Sequence, residues 1–580
     1  MKYKLIEQVN PHYTVMQQIL HNRGIKDEDM LKYIKTSQDD VYPYQLFGQD
    51  IQDAVHMLSR ALNSEGKIYI QVDSDCDGYT SSAVLINYLH KMGYRDKIMY
   101  SFHPSKEHGF DIDRFVENKL QNYVNLVIIP DAGSNEYDKH AKLRDMGIPM
   151  LILDHHHAEK KTEDAVIVNN QLSDYPNKEL SGVGVTYKFC KALDEWFGQD
   201  YADEFLDLVA VGMVADMMSL KEMETKFLIN EGLLNIKNQF LKALFNKQAY
   251  QLRDGITPFG VGFYIAPVIN AVIRTGTIEE KNVMFSAMLD WNANKEVPST
   301  KRGHKKGELE LLYNQAVRLA TNLQRKQKDL RDSAMGAVIA KIETQELHKN
   351  KILLVDITDL EIPKTLTGLI ANQIMAKYQQ PVLLLRHTDK GLLEGSGRGY
   401  EKSELKDTRE FLQNSGVVEY AEGHGSAFGC GIAEDKISEF FSTTNDLLKD
   451  MTFEPVYLVD FVWSADEINP QKILDIAAGK NFWGKDMEEP VIVMQNVTVK
   501  PENIFLMSPD KNPTLKIQVN GITLIKFKSS IEEYEMLKNQ GVRVTLDILG
   551  KCKENEWQGQ VEAQVIIQDY EIKTAMKWVF

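Results

Sequence analysis

The stretch Lys67 to Gly78, KIYIQVDSDCDG, joins a short apolar run to three alternating acids and a glycine. An apolar run of this length, closed by turn-forming residues, predicts a strand covered on both faces. Four similar runs follow before Asn170: KIMYSF, NLVIIPDAG, PMLILDHHH and DAVIVNN. Amphipathic stretches separate them, so the region predicts a parallel α/β sheet. In such sheets the ligand crevice lies beyond the carboxyl ends of the strands, where side chains distant in sequence converge.

Three of these runs end in carboxylates or histidines. The first gives Asp73, Asp75 and Asp77, the next such run Asp131, and the last Asp154, His155, His156 and His157. The DxDxDG string also opens a calcium EF-hand loop, but that loop needs a glutamate at its twelfth position and a preceding helix. Here the twelfth position is Val84 and a strand precedes. Alternate residues of an extended segment point to one side, so Asp73 and Asp75 can share a hard cation. A lone aspartate after a strand is ordinarily a turn former or helix cap; three such exits in succession favour a metal role for Asp131. Asp216 lies in LVAVGMVADMMSL, an apolar helical stretch where an unpaired carboxylate is expensive to bury. A cation or a buried salt bridge would answer that cost.

Oxygen and imidazole donors without thiolates suit Mn²⁺ or Mg²⁺ better than structural zinc. There are more candidate ligands than one ion takes from a protein, and a pair of ions is the usual arrangement for phosphoester hydrolysis. The residues themselves therefore predict a binuclear metal phosphohydrolase.

The chain has 580 residues, enough for three or four domains. Hydrophobic residues at 43% and charged residues at 26% fit a globular protein and exclude wholesale disorder. No apolar run is long enough to span a bilayer, and MKYKLIEQVNPHY lacks the core of a secretion signal, so no membrane role and a cytoplasmic location are expected. Four scattered cysteines exclude a disulfide scaffold and a zinc ribbon. The net charge of −16 opposes a polyanionic partner unless basic residues are concentrated in one cleft. Lys301 to Arg331 carries nine Lys/Arg and three acids at a helical apolar spacing, either a solvated charged helix or a connector with a basic face. A second α/β block follows, with strands expected at GAVIAKI, KILLVDI and PVLLLRH. Residues 490–572 then read as short strands with turns, suiting a small antiparallel barrel of the OB kind or a sandwich. Phe482 and Trp483 could stack on bases if the partner is an unpaired nucleic-acid strand, although most aromatics in a barrel are core.

Taken in order, these strings resemble the DHH phosphoesterase superfamily, and more closely its RecJ branch of 5′ to 3′ single-strand DNA exonucleases. DSDCDGYTS resembles the first motif, PDAGSNE the second, LDHHH the third and VGMVAD the fourth. HPSKEHGF, LSGVGVTYKFCKAL and APVINAVIR resemble the RecJ segments between and after them. TGLIANQIMAKYQQPVLLL, GSGRG and GHGSAFGCGI resemble the DHH-associated domain, and NFWGKDMEEPV with LGKCKENEWQGQVEAQVIIQDYEI resembles the RecJ OB domain. The implied architecture is multidomain α/β: an N-terminal helical segment (1–50), a parallel-sheet DHH domain (51–300), a long basic connecting helix (301–332), a smaller α/β DHH-associated domain (333–454) and a C-terminal OB-like β-barrel (455–580).

The resemblance also implies roles. Asp75, Asp131, His155 and Asp216 would hold one Mn²⁺ or Mg²⁺, and Asp73 and Asp131 a second, with Asp131 bridging. Asp75, Asp131 and His156 form the implied catalytic set, with His156 at the substrate phosphate. Asn270, Arg274, Ser396, Arg398, Gly423 and His424 would bind substrate; outside this context Ser396 reads as a turn residue and His424 as a loop histidine. Two positions depart from the family pattern. Gln71 stands where a histidine usually precedes the first motif, which bears on the second ion. Glu422 stands where the associated domain usually has a glycine. The implied substrate is single-stranded DNA in repair, recombination or replication, with a single-stranded-DNA-binding protein or helicase as the class of partner and a monomer as the expected state. The alternatives are a phosphoesterase for short oligonucleotides or cyclic dinucleotides, a degenerate DHH replication scaffold, and, least of all, a manganese pyrophosphatase.

Overall fold

The computed structural model describes residues 1–253, 255–557 and 559–573; the end of the expected barrel region, 574–580, lies outside them. The quoted stretch forms β1 (Lys67–Val72) at the heart of a five-stranded parallel sheet. Its companions are β2 (Ile98–Phe102), β3 (Val124–Pro130), β4 (Met150–Asp154) and β5 (Val166–Asn169), in the order β2-β1-β3-β4-β5. Every pair is parallel, and β1, β3 and β4 are almost wholly buried, as their unbroken apolar composition requires. One face packs on a cluster that includes Tyr69, Phe110, Phe115, Val127, Ile129, Leu143, Met150 and Ile152. Each such large apolar side chain contributes about 1.5–3 kcal/mol by leaving water. Two buried helices, α1 (Cys76–Lys91) and α2 (Gly182–Phe197), pack on one another, and both touch α3 (Leu206–Ala215). Next comes α4 (Ala266–Thr275), which touches α1 and α3.

The connector differs from its expected bounds. Lys301–Lys306 belong to the turn of a short hairpin, Glu296–Pro298 with Leu309–Leu311, because Gly303 and Gly307 take positive φ and interrupt any helix there. Helix α5 (Leu312–Thr344) starts later and ends later. It absorbs GAVIAKI, expected as a strand: Val338 and Ile342 are buried four residues apart, a helical spacing that the short apolar run concealed.

The chain divides into two compact units, and α5 runs through the division at Gln324/Arg325. The smaller unit holds β6 (Leu353–Asp356), helix α6 (Lys364–Tyr378), β7 (Val382–His387), β8 (Leu392–Arg398), β9 (Tyr420–His424) and β10 (Ala427–Ala433). Its mixed sheet runs β9-β10-β8-β7-β6. The N-terminal segment, expected to be helical, opens instead with a strand: Lys2–Leu5 pairs in parallel with Val456–Val459 in this unit. Four residues alternating exposed and half-buried are too short a signal to read as a strand unaided.

The C-terminal strands β11 (Phe461–Ser464), β12 (Val491–Val499), β13 (Ile504–Met507), β14 (Thr514–Val519), β15 (Ile522–Lys526), β16 (Val544–Trp557) and β17 (Gln560–Lys573) form one sheet, in the order β11-β12-β16-β17-β15-β14-β13; Phe461–Val462 and Asp569–Glu571 fall in the smaller unit and the rest of the sheet in the larger unit. β12 also touches β14, so the sheet curls on itself as a barrel does. The N-terminal helices lie against both halves of this unit: Arg23 donates to the Glu488 carbonyl from Nε and Nη2, and Tyr33 Oη donates to the Leu220 carbonyl at 2.8 Å. Trp483 is 4% exposed, and Phe482 packs edge-on to Tyr33 beneath Lys226. Trp483 is too buried to stack on a base, a correction to the expectation, and Phe482 is half-buried against Tyr33 and Lys226. Among the described residues no helix is long and apolar enough to cross a membrane.

Candidate metal centre

The carboxyl ends of β1, β3 and β4 deliver the acids and histidines to one place. Asp73 follows β1 and is buried; its Oδ1 accepts from Gly109 N at 2.8 Å and its Oδ2 stands 2.6 Å from His108 Nδ1. Asp75 caps α1, accepting from Gly78 N at 3.0 Å. A Cβ at position 78 would lie 2.6 Å from Asp73 Cβ, so the motif glycine is what lets the first turn of α1 close over the strand end. Asp131 follows β3 with φ of 71°, a left-handed conformation that a non-glycine residue holds only where its surroundings enforce it. Gly182, at the start of α2, admits this side chain; a Cβ there would meet Asp131 Oδ1 at 2.3 Å.

His155 Nε2 lies 3.3 Å from Asp131 Oδ1 and 3.3 Å from Asp216 Oδ2. Asp216 sits immediately past the end of α3, where the helix dipole disfavours an anion. Its side chain is 29% exposed, so it faces the site and is not sealed among the apolar residues that surround it in sequence. Donor atoms group tightly as Asp73, Asp75 and His108; as Asp131, His155 and His156; and as Asp77, His155 and Asp216. Asp75 thus groups with Asp73, and it also lies near enough to His155 to act on its charge.

Three further residues lie in or against this cluster. Asp77 is buried, accepts from Ser181 Oγ at 2.9 Å and Val183 N at 3.2 Å, and faces Asp131. It was visible as the third acid of its string. Asp154 is buried and accepts from Ser134 N, His155 N, His156 N and His156 Nδ1, which fixes both histidines. His108 stood in HPSKEHGF with no spacing to mark it.

Electrostatics describe a site short of positive charge. Burial, then the neighbouring acids, push Asp131 well above the usual carboxylate range, Asp216 to about 8 and Asp77 to about 6. Burial also lowers His155 to about 4, keeping the imidazole neutral as a ligand must be. His156 is the opposite case: its hydrogen bond to Asp154 raises it to about 9. Both Asp131 carboxylate oxygens, Asp77 Oδ2 and His155 Nε2 are buried without a hydrogen-bond partner among the described residues. Orphaned carboxyl oxygens and a neutral imidazole nitrogen about 3 Å apart fit a divalent cation with bonds of roughly 2.1 Å.

Comparison with known proteins agrees with this geometry. The model of the DHH family, N-terminal domain, matches residues 67–213, and that of the RecJ OB domain matches residues 459–569. The SPbeta prophage-derived YorK of Bacillus subtilis, named as a candidate single-strand DNA-specific exonuclease, is 37% identical over 99% of this chain and 98% of its own. The chain belongs to the RecJ-like branch of the DHH family. The single-stranded-DNA-specific exonuclease RecJ of Haemophilus influenzae is 25% identical over 92% of each chain. RecJ of Thermus thermophilus, solved in complex with Mn²⁺, shares the fold with a TM-score of 0.67 at 20% identity, covering 96% of this chain and 76% of that one.

The expected substrate residues of this RecJ-like chain fall into two groups. Asn270 and Arg274 lie one turn apart on α4, the helix that touches α1 and α3, and Asn270 Oδ1 is buried without a partner among the described residues. In the smaller unit, Arg398 and His424 lie in one row across the sheet, each opposite Ala427, and Ser396 and Glu422 form the next row, each opposite Gly429. Directly opposed residues share a face, so Glu422 points to the side that carries Ser396 and Arg398. Arg398 Nε is buried without a partner among the described residues, and its guanidinium lies over Gly368, where a Cβ would stand 2.5 Å from Nη2. Gly423 takes φ of 122° beside His424.

Beside Asp216, Val214 and Met217 line an apolar cavity of about 440 Å³ whose rim includes Phe259 and Phe263. Those two rings stack with centroids 4.8 Å apart and are 43% and 62% exposed.

Proposed function

We propose that this protein is a divalent-metal-dependent exodeoxyribonuclease that hydrolyses single-stranded DNA from the 5′ end and releases nucleotides. The observation that carries the reading is the set of buried, unpartnered donor atoms of Asp77, Asp131 and His155 at the exits of three parallel strands, in a chain of RecJ-like descent along its whole length.

Asp73, Asp75, Asp131, His155 and Asp216 would hold a pair of Mn²⁺ or Mg²⁺ ions, which when bound supply an activated water and neutralise the phosphoryl oxygens. Asp154 holds the His156 ring by Nδ1 and keeps it protonated, leaving Nε2–H to donate to the scissile phosphate. Asn270 offers its free amide oxygen and Arg274 its planar fork to the strand beside the centre. Ser396, Arg398 and His424, with the Gly423 backbone, form the phosphate grip of the smaller unit; a buried guanidinium N–H without a partner is what an anion site looks like before its anion arrives. Phe263, over Phe259, offers an aromatic face to an unpaired base next to Asp216. The setting is cytoplasmic DNA repair, recombination or replication, including phage replication, with a monomer acting beside a single-stranded-DNA-binding protein or helicase.

The acids and histidines of the motifs, present at every position but Gln71, argue against a degenerate scaffold, and the OB-like part against a small-substrate phosphoesterase. The test is degradation of 5′-labelled and 3′-labelled single strands and of duplex DNA with Mn²⁺, alongside Asp131→Ala. Mononucleotide release from the 5′ end of single strands only, lost in the variant, is expected. Three untouched substrates at low salt would refute a nuclease; cleavage of dinucleotides alone would favour the small-substrate reading.

A further inference from the structure

We propose that His108 is a ligand of the second metal ion, supplying from the loop after β2 the imidazole that this chain lacks at Gln71. The inference rests on the metal-dependent reading above and adds a ligand to it.

Gln71 is turned away from that task. It is fully buried in β1 opposite Ser101 of β2, and its amide is engaged there: Nε2 donates to the Ser101 carbonyl at 3.4 Å, and Oε1 lies 3.3 Å from Tyr69 Oη and 3.4 Å from Ser101 Oγ, one of which donates to it while the other donates across the Tyr69–Ser101 hydroxyl pair. A carboxamide committed to two neighbours offers a divalent ion little.

The imidazole arrives from the other side of Asp73. The loop that carries it is held at several points: His103 Nε2 lies 2.9 Å from the Gly109 carbonyl, Phe110 N donates to Glu136 Oε2 at 2.9 Å, and Lys281 Nζ donates to the His103 carbonyl at 2.9 Å. Gly109 N also donates to Asp73 Oδ1 at 2.8 Å, which ties the loop backbone to the carboxylate. This leaves Asp73 Oδ2 facing His108 Nδ1 at 2.6 Å, with Asp75 completing a group whose ligand atoms all lie within 4.8 Å. Nitrogen and oxygen need only part by a few tenths of an ångström to reach the roughly 3 Å spacing of neighbouring ligands on a shared ion. His108 is 50% exposed, so the position is open to ions from solution. An ordinary ion pair would use the same contact; Asp75 beside it, the fixed loop and the disengaged Gln71 favour the ligand role.

The experiment titrates the full-length protein with Mn²⁺ alone, reading stoichiometry by calorimetry and pairing of the ions by electron paramagnetic resonance. Wild type should bind two Mn²⁺ with an exchange-coupled spectrum. His108→Ala should weaken the second ion at least about tenfold and leave the six-line signal of an isolated Mn²⁺, with the first ion unchanged. Gln71→His added to His108→Ala should restore the coupled pair, an outcome that loss of folding cannot imitate. Two ions bound by His108→Ala with wild-type affinity would overturn the proposal while leaving the nuclease reading intact. No Mn²⁺ bound by the wild type would overturn both.

Discussion

His156 Nδ1 stands 2.8 Å from Asp154 Oδ1, and this contact sets both the direction and the charge of the imidazole. Burial pushes the Asp154 carboxyl up, but the hydrogen bond and charge of His156 outweigh it and hold the group ionised well below the usual range. In the metal-free protein, His156 should therefore remain charged until the pH rises through about 9. Asp154→Asn should return that titration toward the ordinary value near 6.5, followed by NMR of the imidazole, and lower kcat roughly 10–100-fold with Mn²⁺ stoichiometry unchanged. An unshifted titration in the variant would remove Asp154 from this role.

Asp131 is the most strained and least satisfied of the acids, with a left-handed backbone and two orphaned oxygens. Asn tolerates that backbone better and carries no charge into the buried cluster. Asp131→Asn should abolish hydrolysis, yet raise the melting temperature in EDTA while losing the stabilisation that Mn²⁺ gives the wild type. Calorimetry with and without metal checks both signs; a destabilised variant in EDTA would mean that Asp131 serves the fold.

The raised carboxylates also link pH to stability. Asp77 and Asp216 titrate near 6 and 8 when folded but near 3.8 when not, so across that window the metal-free fold holds more protons than the unfolded chain. Stability in EDTA should therefore fall as pH rises from about 4 to about 8, and Asp216→Asn should flatten the slope. Mn²⁺ must displace those protons, so its affinity should rise over the same range. Calorimetry in buffers of different ionisation enthalpy reads the released protons directly.

The parallel sheet and the convergence of acids and histidines at its strand exits were legible because their signal is local: an apolar run followed by an acid at a strand exit. What escaped needed information from elsewhere in the chain. Val338 and Ile342 look like a strand in seven residues and like a helix only when α5 is seen to run through them. Trp483 looks like a stacking residue until the fold leaves it 4% exposed, close against Gly479. His108 lies 35 residues from Asp73, and only the fold of the intervening loop brings them together. Lys2–Leu5 has no partner in its own neighbourhood, since its mate is Val456–Val459.

Glu422 shares a sheet face with Ser396, two strands away across Gly429, a separation of about 9–10 Å. Its charge would oppose a phosphate held, as proposed, by Ser396 and Arg398. Glu422→Gln should tighten binding of a 5′-phosphorylated strand several-fold at low salt and little at high salt, because the interaction is screened. Fluorescence anisotropy with phosphorylated and unphosphorylated oligonucleotides makes the comparison; equal gains for both would place Glu422 away from the terminal phosphate.

Phe263 stacks on Phe259 one helical turn away and is 62% exposed on the rim of the cavity beside Asp216. An exposed ring of that size in a folded chain exchanges solvent for a base at little structural cost, and a stacked base is worth about 1–3 kcal/mol. Phe263→Ala should accordingly raise KM for single strands roughly 5-fold to 100-fold, with kcat, Mn²⁺ stoichiometry and melting temperature nearly unchanged. Trp483→Ala is the contrasting case: a 4%-exposed indole packed within the fold should lower the melting temperature, and any loss of binding should follow that loss of structure. Steady-state kinetics beside thermal denaturation separates the two, and an unaltered KM in Phe263→Ala would send the strand past the metal centre by another route.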